Sequence, residues 1–196
     1  MAESVILTAL IGQAIELRWK FSLQVRGDGP IKLIATDYYA PEEAGKPARM
    51  RAYAGFDPGD VASARQAPFE MLGKGGVGVS IDQGKGMMPY QGITPLTGRS
   101  LADCVETYFA QSEQLATRFA VQTAEAQVPG KAMHWRAGGI MIQQLPSSGG
   151  RVPDAPSGAE GLLSSTDIAE MGDRSEDWSR ANLLLDTVET HELIGP

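Results

Sequence analysis

Cysteine and histidine are scarce in this sequence, whose 196 residues include one cysteine and two histidines. A single thiol can form neither an internal disulfide nor a zinc-binding cluster of thiolates. A metal site needs three or four ligands, and no acidic or cysteine cluster lies near His134 or His191 in the sequence. We therefore predict packing or surface roles for both histidines.

Basic residues and long apolar segments are also few. The 17 Lys and Arg residues are outnumbered by 24 Asp and Glu residues, which gives a net charge of −7. Because nucleic acids and anionic membranes are bound by basic patches, neither is an expected partner. No apolar run reaches the roughly 18–20 residues that span a bilayer, and the N-terminus lacks the basic region of a signal peptide. Together with the single thiol, these features predict a cytoplasmic protein.

The composition is that of an ordinary globular domain, 42% hydrophobic and 21% charged, in a chain long enough for one sizeable core. Residues 4–17 are apolar almost all round, which predicts a helix buried on several sides. Apolar and polar residues alternate over residues 19–26, and this pattern predicts a strand with one exposed face. Further strands are predicted over 31–35, 50–56, 77–81, 87–93, 119–123 and 140–145. Hairpins with helices gathered on one side indicate an α+β fold.

A capped helix is predicted after Ser100. Ser100 is a candidate N-cap and Asp103 follows three residues later, which is the arrangement of a capping box. Apolar residues at helical spacing form one face, namely Leu101, Cys104, Val105, Tyr108 and Phe109. We expect the helix to end near residues 112–114. Because Cys104 shares the apolar face, we expect a packed core residue there rather than a redox or nucleophilic thiol.

Residues 73–78 have the pattern Gly-x-Gly-x-x-Gly of dinucleotide-binding loops. That pattern binds a pyrophosphate only where it follows a strand and opens a helix, because the helix N-terminal amides hold the phosphate. Here it leads into the alternating residues 77–81, which predict a strand. Lys74 does not complete a Walker loop, since Gly75 stands where Ser or Thr would hold magnesium. A structural turn is the favoured interpretation, and a small-molecule or nucleotide-binding enzyme that uses the Gly73–Gly78 loop is the alternative.

Several short blocks, taken in order, strongly resemble the heat shock protein 33 family. They cover most of residues 5–146, and a weaker likeness continues through the last predicted helix. Any one block is short, but the ordered set is specific. The blocks are Gly27-Asp28-Gly29-Pro30, Gly73-Lys74-Gly75, Tyr90-Gln91-Gly92, Pro95-Leu96-x-Gly98, Tyr108-Phe109, Ser112-Glu113-Gln114, Thr117, and Ala137-Gly138-Gly139-Ile140 through Leu145-Pro146.

The resemblance implies a redox-regulated holdase chaperone of the bacterial cytosol that works without ATP and is not an enzyme. Such a protein binds unfolding proteins through exposed hydrophobic surface and prevents their aggregation. The implied partners are unfolded or misfolded client proteins and a second copy of the chain in a homodimer. The implied fold has layered mixed or antiparallel β-sheets, with a buried central sheet and helices packed on one side.

In the family, a small terminal domain with a Cys-x-Cys and a Cys-x-x-Cys binds zinc. Its oxidation to disulfides releases the zinc and unfolds a linker that covers the client-binding surface. None of those four cysteines occurs in this sequence. We therefore expect no cofactor in this chain, although zinc belongs to the full-length family. We interpret the chain as the chaperone core, shortened at its N-terminus relative to the family and without the redox-switch domain.

Three segments are predicted along the chain. Residues 1–146 form the chaperone core domain. Residues 147–173, rich in Gly, Ser, Ala and Pro, form a flexible loop or linker. Residues 174–196 form a C-terminal helix on which four residues share a face, namely Trp178, Ala181, Leu185 and Val188.

Two roles are predicted for particular residues, and none of them is catalytic. The family-like residues between Gly27 and Thr117 are expected to be structural. Client binding is expected on the apolar side of the first hairpin, at Trp19, Phe21, Leu23, Val25, Ile31 and Leu33. Packing in the domain core is the alternative role for each of these six side chains.

Overall fold

Two antiparallel β-sheets and five α-helices make up the part of the chain that the structure describes. The structure is a computed structural model, and it describes residues 1–43, 45–127, 130, 132–145 and 165–195. The helices are α1 (Ala2–Ala14), α2 (Pro58–Ser63), α3 (Leu101–Tyr108), α4 (Ser165–Asp186) and α5 (Thr190–Ile194). The strands are β1 (Lys20–Gly27), β2 (Ile31–Tyr39), β3 (Arg49–Phe56), β4 (Gly75–Asp82), β5 (Tyr90–Pro95), β6 (Thr117–Ala126) and β7 (His134–Gln143).

The larger sheet has the strand order β3-β2-β1-β4-β5, and every neighbouring pair is antiparallel. Strand β1 is its central strand. Phe21, Leu23 and Val25 of β1 point into the core, in register with Ile81, Val79 and Val77 of β4 respectively. The core therefore lies on one face of this sheet, under the helices.

Helix α1 lies between the two sheets, in contact with β2 on one side and with β7 on the other. Small side chains face β2. The hydroxyl oxygens of Ser4 and Thr8 lie 3.0 and 2.6 Å from Oγ1 of Thr36, and a Cβ atom on Gly12 would overlap the ring of Tyr38. Contact on two sides confirms the prediction of a helix buried on several sides.

Helix α3 begins as its sequence predicts. The Oγ of Ser100 accepts a hydrogen bond from the backbone N–H of Asp103 at 3.0 Å. The carboxylate of Asp103 accepts from the N–H of Arg99 at 2.7 Å rather than returning to Ser100, so the predicted capping box is only half formed. The helix continues as a π-helical turn at Phe109–Glu113 and ends at Gln114, whose φ is 56°. The predicted end near residues 112–114 is therefore correct.

The second sheet is the antiparallel pair β6-β7, and helices α4 and α5 pack against it. Arg118 of β6 links this sheet to α4, because its guanidinium donates to Asn182 at 3.1 Å and to Asp186 at 3.2 Å. The backbone carbonyl of Leu193 in α5 lies so close to Gly138 that a Cβ there would overlap it. The layers therefore follow the order five-stranded sheet, helices α1 and α3, two-stranded sheet, and helices α4 and α5.

The predicted fold class, α+β with layered sheets and helices on one side of the main sheet, is confirmed. Strand and helix ends differ by several residues from the prediction. Helix α1 stops at Ala14 instead of continuing to residue 17, and β5 begins at Tyr90 instead of residue 87. Strands β6 and β7 are both longer than expected, because they pair with each other along their whole length.

The prediction of a flexible loop over residues 147–173 is wrong at its C-terminal end. Residues 165–173 belong to helix α4, which begins at Ser165. Residues 146–164 lie outside the described part of the chain. The predicted last helix is also two helices, since α4 ends at Asp186 and α5 starts at Thr190. Leu185 is buried, in agreement with the predicted apolar face of α4.

Candidate functional site

Two of the family-like blocks meet at one end of the five-stranded sheet. The N–H of Asp28 donates to the carbonyl of Lys74 at 2.9 Å, and the N–H of Lys74 donates to the Asp28 carboxylate at 2.7 Å. A Cβ atom on Gly27 or Gly75 would overlap a backbone carbonyl of the opposite segment. Gly73 has a φ of 68°, which favours glycine. The glycines therefore allow the two turns to pack backbone against backbone.

This packing bears on the alternative of a nucleotide-binding loop at residues 73–78. The loop runs into strand β4 and not into a helix. Its amides already have protein partners: the N–H of Gly73 donates to the carbonyl of Glu70 at 3.0 Å, that of Lys74 to Asp28, and the residues from Gly75 onward pair in the sheet. Because a phosphate cradle needs free amides at a helix N-terminus, the geometry does not support this alternative.

A second set of family-like residues surrounds the buried ring of Tyr108. Gly92 of β5 lies against the ring, and the ring of Phe109 packs edge-on with centroids 5.5 Å apart. The Tyr108 hydroxyl donates to the carboxylate of Glu113 at 2.7 Å. Burial raises the pKa of the Tyr108 phenol, and Glu113 and Tyr90 raise it further. The phenol is therefore a neutral hydrogen-bond donor that fixes the π-helical turn to α3.

The remaining family-like residues connect α3 to the two-stranded sheet. After the left-handed residue Gln114, the N–H of Leu115 donates to the carbonyl of Phe109 at 3.1 Å. Thr117, the first residue of β6, accepts a hydrogen bond from the side-chain amide of Gln143 at 2.9 Å. Ser112 is exposed at the helix end. These contacts set the direction of the chain between the helix layer and β6.

The six hairpin residues predicted to bind clients lie mostly in the core. Three of them have no solvent exposure, namely Phe21, Leu23 and Val25. For these three, the prediction of an exposed binding surface is wrong in the folded protein, because α1 and α3 cover that face of the sheet. Ile31 and Leu33 are half-buried, and Trp19 is exposed and packs edge-on against Tyr39. Alternation identifies the apolar side of a strand but not the layer that covers it.

Exposed apolar side chains lie instead along the two edge strands of the five-stranded sheet. Helix α1 packs on β1 and β2, and β3 extends beyond it, so both faces of β3 are accessible. Tyr53 is 61% exposed and Ile93 is 81% exposed. We name the exposed apolar residues of β3 and β5 the edge surface, which consists of Met50, Tyr53, Phe56, Tyr90 and Ile93.

The edge surface continues into the turn between β4 and β5. Met87 and Met88 lie in this turn, and Met88 is 95% exposed. Met87 and Trp19 both line a groove of about 420 Å³, together with Lys85 and Pro89. Methionine side chains are flexible and polarisable, so they adapt to apolar partners of different shapes.

The face of the sheet turned away from α1 carries a polar network between the two edges. The carboxylate of Asp37 accepts hydrogen bonds from Ser22 and from Arg51, both at 2.5 Å, and lies 4.0 Å from the ammonium of Lys20. Burial acts to raise the pKa of Asp37, but these hydrogen bonds and charges outweigh it, and the pKa is lowered. The carboxylate is therefore charged and paired, which suits a structural role across three strands.

Reactive groups are not gathered into a site in the described part of the chain. Cys104 is fully buried, and its thiol donates to the carbonyl of Thr97 at 3.0 Å. Burial raises the pKa of this thiol, which lowers its reactivity. Among the described residues, no three His, Cys, Asp or Glu side chains are placed to hold a metal ion. No helix there is long and apolar enough to cross a membrane.

Sequence reasoning missed the edge surface. The sequence predicts a strand over residues 50–56, but it does not show that this strand has a partner on one side only. The sequence places Tyr90 in a block that is expected to be structural, although 47% of this residue is exposed. The one available signal is in β3 itself, where Ala52, Ala54 and Gly55 leave too little apolar bulk for a covered strand.

Comparison with known proteins identifies the family. The family model described as Hsp33 protein matches residues 1–194. The 33 kDa chaperonin of Caulobacter vibrioides is 33% identical over 201 residues, which cover 100% of this chain and 58% of that protein. That of Ectopseudomonas mendocina is 30% identical over 196 residues, which cover 100% of this chain and 54% of that protein. The chain therefore spans somewhat more than half the length of these relatives.

A solved structure agrees on the fold. The 33 kDa chaperonin of Thermotoga maritima, a heat shock protein 33 homologue, superposes with a TM-score of 0.51 at 19% identity, covering 72% of this chain and 46% of that one. At this identity the superposition supports the architecture alone. Since the family model covers almost every residue, the chain belongs to the Hsp33 protein family.

Proposed function

We propose that this chain is the client-binding core of a holdase chaperone, which binds unfolding proteins and keeps them from aggregating. The edge surface carries this proposal, because it leaves five large apolar side chains in water along both edges of one sheet. Covering such side chains is favourable by roughly 25 cal/mol per Å² of apolar area. Holding a client in this way makes and breaks no covalent bond, so it needs no ATP.

Redox regulation is a separate part of the proposal. The zinc and the disulfide switch that the resemblance implies for the full-length family need four cysteines, and this sequence has one. That one thiol is buried with a raised pKa. We therefore expect the holding activity of these 196 residues to be insensitive to oxidants, and zinc and redox control to depend on cysteines outside this sequence.

The expected partners and location follow the same reasoning. Clients are unfolded or misfolded proteins of varied sequence, and the resemblance favours a cytoplasmic homodimer. A net charge of −7 disfavours nucleic acids and anionic membranes as partners. Sedimentation of the chain with and without an unfolded client separates a homodimer from a chain that associates only with clients.

Light scattering of a heat-unfolded client tests the holding activity. We expect an excess of this chain to suppress aggregation in a buffer without oxidant, and the suppression to be the same with and without ATP. An equal mass of a folded protein of similar net charge is the control for crowding and charge. Scattering that an excess of the chain leaves unchanged would refute the proposed function.

A further inference from the structure

Strand β3 has one open backbone edge. It pairs with β2 alone in the described part of the chain. In an antiparallel pair, alternate residues direct both their N–H and their C=O to the partner strand, and the residues between them direct both groups away. Every second residue of β3 therefore points a donor and an acceptor outward, and six of its eight residues are exposed. Such an edge is a template for another strand.

The opposite edge of the sheet is a poorer template. Strand β5 has six residues, and its last, Pro95, has no N–H to donate. Strand β3 has eight residues and no proline. Its one register shift lies at the end near Phe56, so the pairing of residues 49–55 with β2 is regular. A strand added to the sheet would therefore find a longer and more complete row of hydrogen-bonding groups at β3.

The side chains of β3 define the chemistry of a partner strand. Met50 and Ala52 lie on the face that carries α1, while Arg49, Arg51 and Tyr53 lie on the other face. The strand has two arginines and no acidic residue, in a chain whose net charge is −7. Cross-strand neighbours of opposite charge are favourable, and so are pairs of apolar residues. A complementary strand would alternate apolar residues with acidic ones.

Both arginines already have one carboxylate partner each. Arg49 pairs with Glu42 at 2.6 Å and Arg51 pairs with Asp37 at 2.5 Å. Both arginine side chains are nevertheless about two-thirds exposed. A guanidinium has five N–H donors, so each arginine keeps donors for a second carboxylate on an added strand.

We propose that β3 accepts an extended client segment as a sixth strand of the sheet, with a preference for apolar residues that alternate with acidic ones. This inference rests on the proposed holdase function and specifies its mode of binding. Backbone hydrogen bonds give affinity that does not depend on sequence, and the alternating side chains give the preference. The edge surface residues Met50 and Tyr53 then contact the added strand from its two faces.

Synthetic peptides test the preference. We use a labelled eight-residue peptide that alternates Val and Glu, and a matched peptide that alternates Val and Lys. Fluorescence anisotropy at low salt should show that the Glu peptide binds the 196-residue chain roughly tenfold more tightly. The variant Arg49→Glu should reduce or reverse this preference, because it replaces a positive charge on β3 with a negative one. The variant should still fold, since Arg49 is exposed and contributes little to the fold. Equal binding of the two peptides to wild type would overturn the charge preference.

Proline substitutions test the backbone pairing. Ala52 and Tyr53 are adjacent, so one of them points its N–H outward and the other points its N–H to β2. We expect one of Ala52→Pro and Tyr53→Pro to keep the folded circular dichroism spectrum and to bind the Glu peptide at least roughly tenfold more weakly. The other should be destabilised. If the folded proline variant binds as wild type does, or if neither variant folds and Arg49→Glu keeps the wild-type preference, the sixth-strand model is wrong.

Three further outcomes separate this inference from its alternatives. If wild type and the folded proline variant suppress client aggregation equally, the holdase proposal is retained and the sixth-strand model is wrong. If wild type does not suppress aggregation at all, the holdase proposal itself fails. A dimer that the proline variant abolishes and that the Glu peptide does not dissociate would assign β3 to pairing with a second copy of the chain, against the client model.

Discussion

Gly92 of β5 lies directly against the ring of Tyr108, with no room for a methyl group between them. The ring cannot move easily, because it is buried and its hydroxyl donates to Glu113 at 2.7 Å. We therefore expect Gly92→Ala to lower the free energy of unfolding by about 1–3 kcal/mol, the usual cost of overpacking. Urea unfolding followed by circular dichroism measures this loss.

Gly78→Ala is the matched control, since Gly78 also lies inside a strand of the same sheet. A Cβ atom there would meet its nearest neighbours at 3.8 Å or more, which is ordinary contact. Replacing glycine by alanine in such a place changes stability by about 0.5–1 kcal/mol in the favourable direction. Equal losses in the two variants would contradict the assigned contact between Gly92 and Tyr108.

The hydroxyl of Thr36 holds α1 to β2. Its Oγ1 lies within 3.0 Å of the hydroxyls of both Ser4 and Thr8, and all three side chains are buried. Thr36→Val keeps the shape of the side chain but removes the hydrogen-bond partner of two buried groups. We expect it to lower the free energy of unfolding by about 1–3 kcal/mol.

The control for Thr36 is Thr36→Ser, which keeps the hydroxyl and loses one methyl group. It should cost less than Thr36→Val if the hydrogen bonds dominate. Combining Thr36→Val with Thr8→Val should recover part of the loss, because fewer polar groups are then left without a partner. If the losses of unfolding free energy in the two single variants add up to that of the double variant, the hydroxyls of Thr36 and Thr8 do not interact.

Asp37 links stability to pH. Its pKa in the folded protein is lowered, because hydrogen bonds from Ser22 and Arg51 and the charge of Lys20 outweigh the effect of burial. Such a carboxyl stabilises the fold fully above its unfolded pKa of about 3.9, and the contribution is lost as the pH falls through the lower folded value. We expect Asp37→Asn to be less stable than wild type at pH 7, by a difference that shrinks below about pH 4. Urea unfolding of both proteins at pH 7, 5 and 3 measures it, and a constant difference would contradict the assignment.

Individual strands and helices were predictable where a single pattern in the sequence identifies them. Alternation of large apolar residues identified β1, and the serine cap identified the start of α3. The sheet order was not predictable, because antiparallel β1 and β4 meet over a long sequence separation that no local pattern reports. That order decides which strands are edges, and so it explains why Phe21 is buried while Tyr53 and Ile93 are exposed.

The sequence of α1 contains a signal for its close contact with β2, but the periodicity of apolar residues does not report it. Ser4, Thr8 and Gly12 recur at four-residue intervals and form the side of α1 that faces the sheet. In a helix that is apolar all round, the small residues and not the large ones indicate the closest neighbour. The π-helical turn after Tyr108 had no comparable signal, because neither apolar periodicity nor the serine cap reports the hydrogen bond between Tyr108 and Glu113 that spans it.

The edge surface gives a prediction for client binding. Tyr53→Ser combined with Ile93→Ser removes two exposed apolar side chains from opposite edges of the sheet. We expect the midpoint of urea unfolding to change little, since exposed side chains contribute little to packing. Suppression of client aggregation should fall severalfold in light-scattering assays at equal chain concentration, because apolar contact area is lost.

The control for the edge surface is Leu183→Ser combined with Leu184→Ser on α4. These leucines are as exposed as Tyr53 and Ile93, at 67% and 69%, but they lie on another element. The pair should leave aggregation suppression close to wild type. If both double variants lose the same activity, binding follows total exposed apolar area and not the edge strands.

The environment of Cys104 predicts that oxidants do not change the activity of this chain. Its thiol is fully buried, donates to Thr97 and has a raised pKa, so little thiolate is available to react. Ellman's reagent should label the folded chain far more slowly than the urea-unfolded chain. Cys104→Ala should suppress client aggregation as wild type does, and peroxide should change the activity of neither protein. Activation of wild type by peroxide, absent from Cys104→Ala, would instead show that this thiol regulates the core directly.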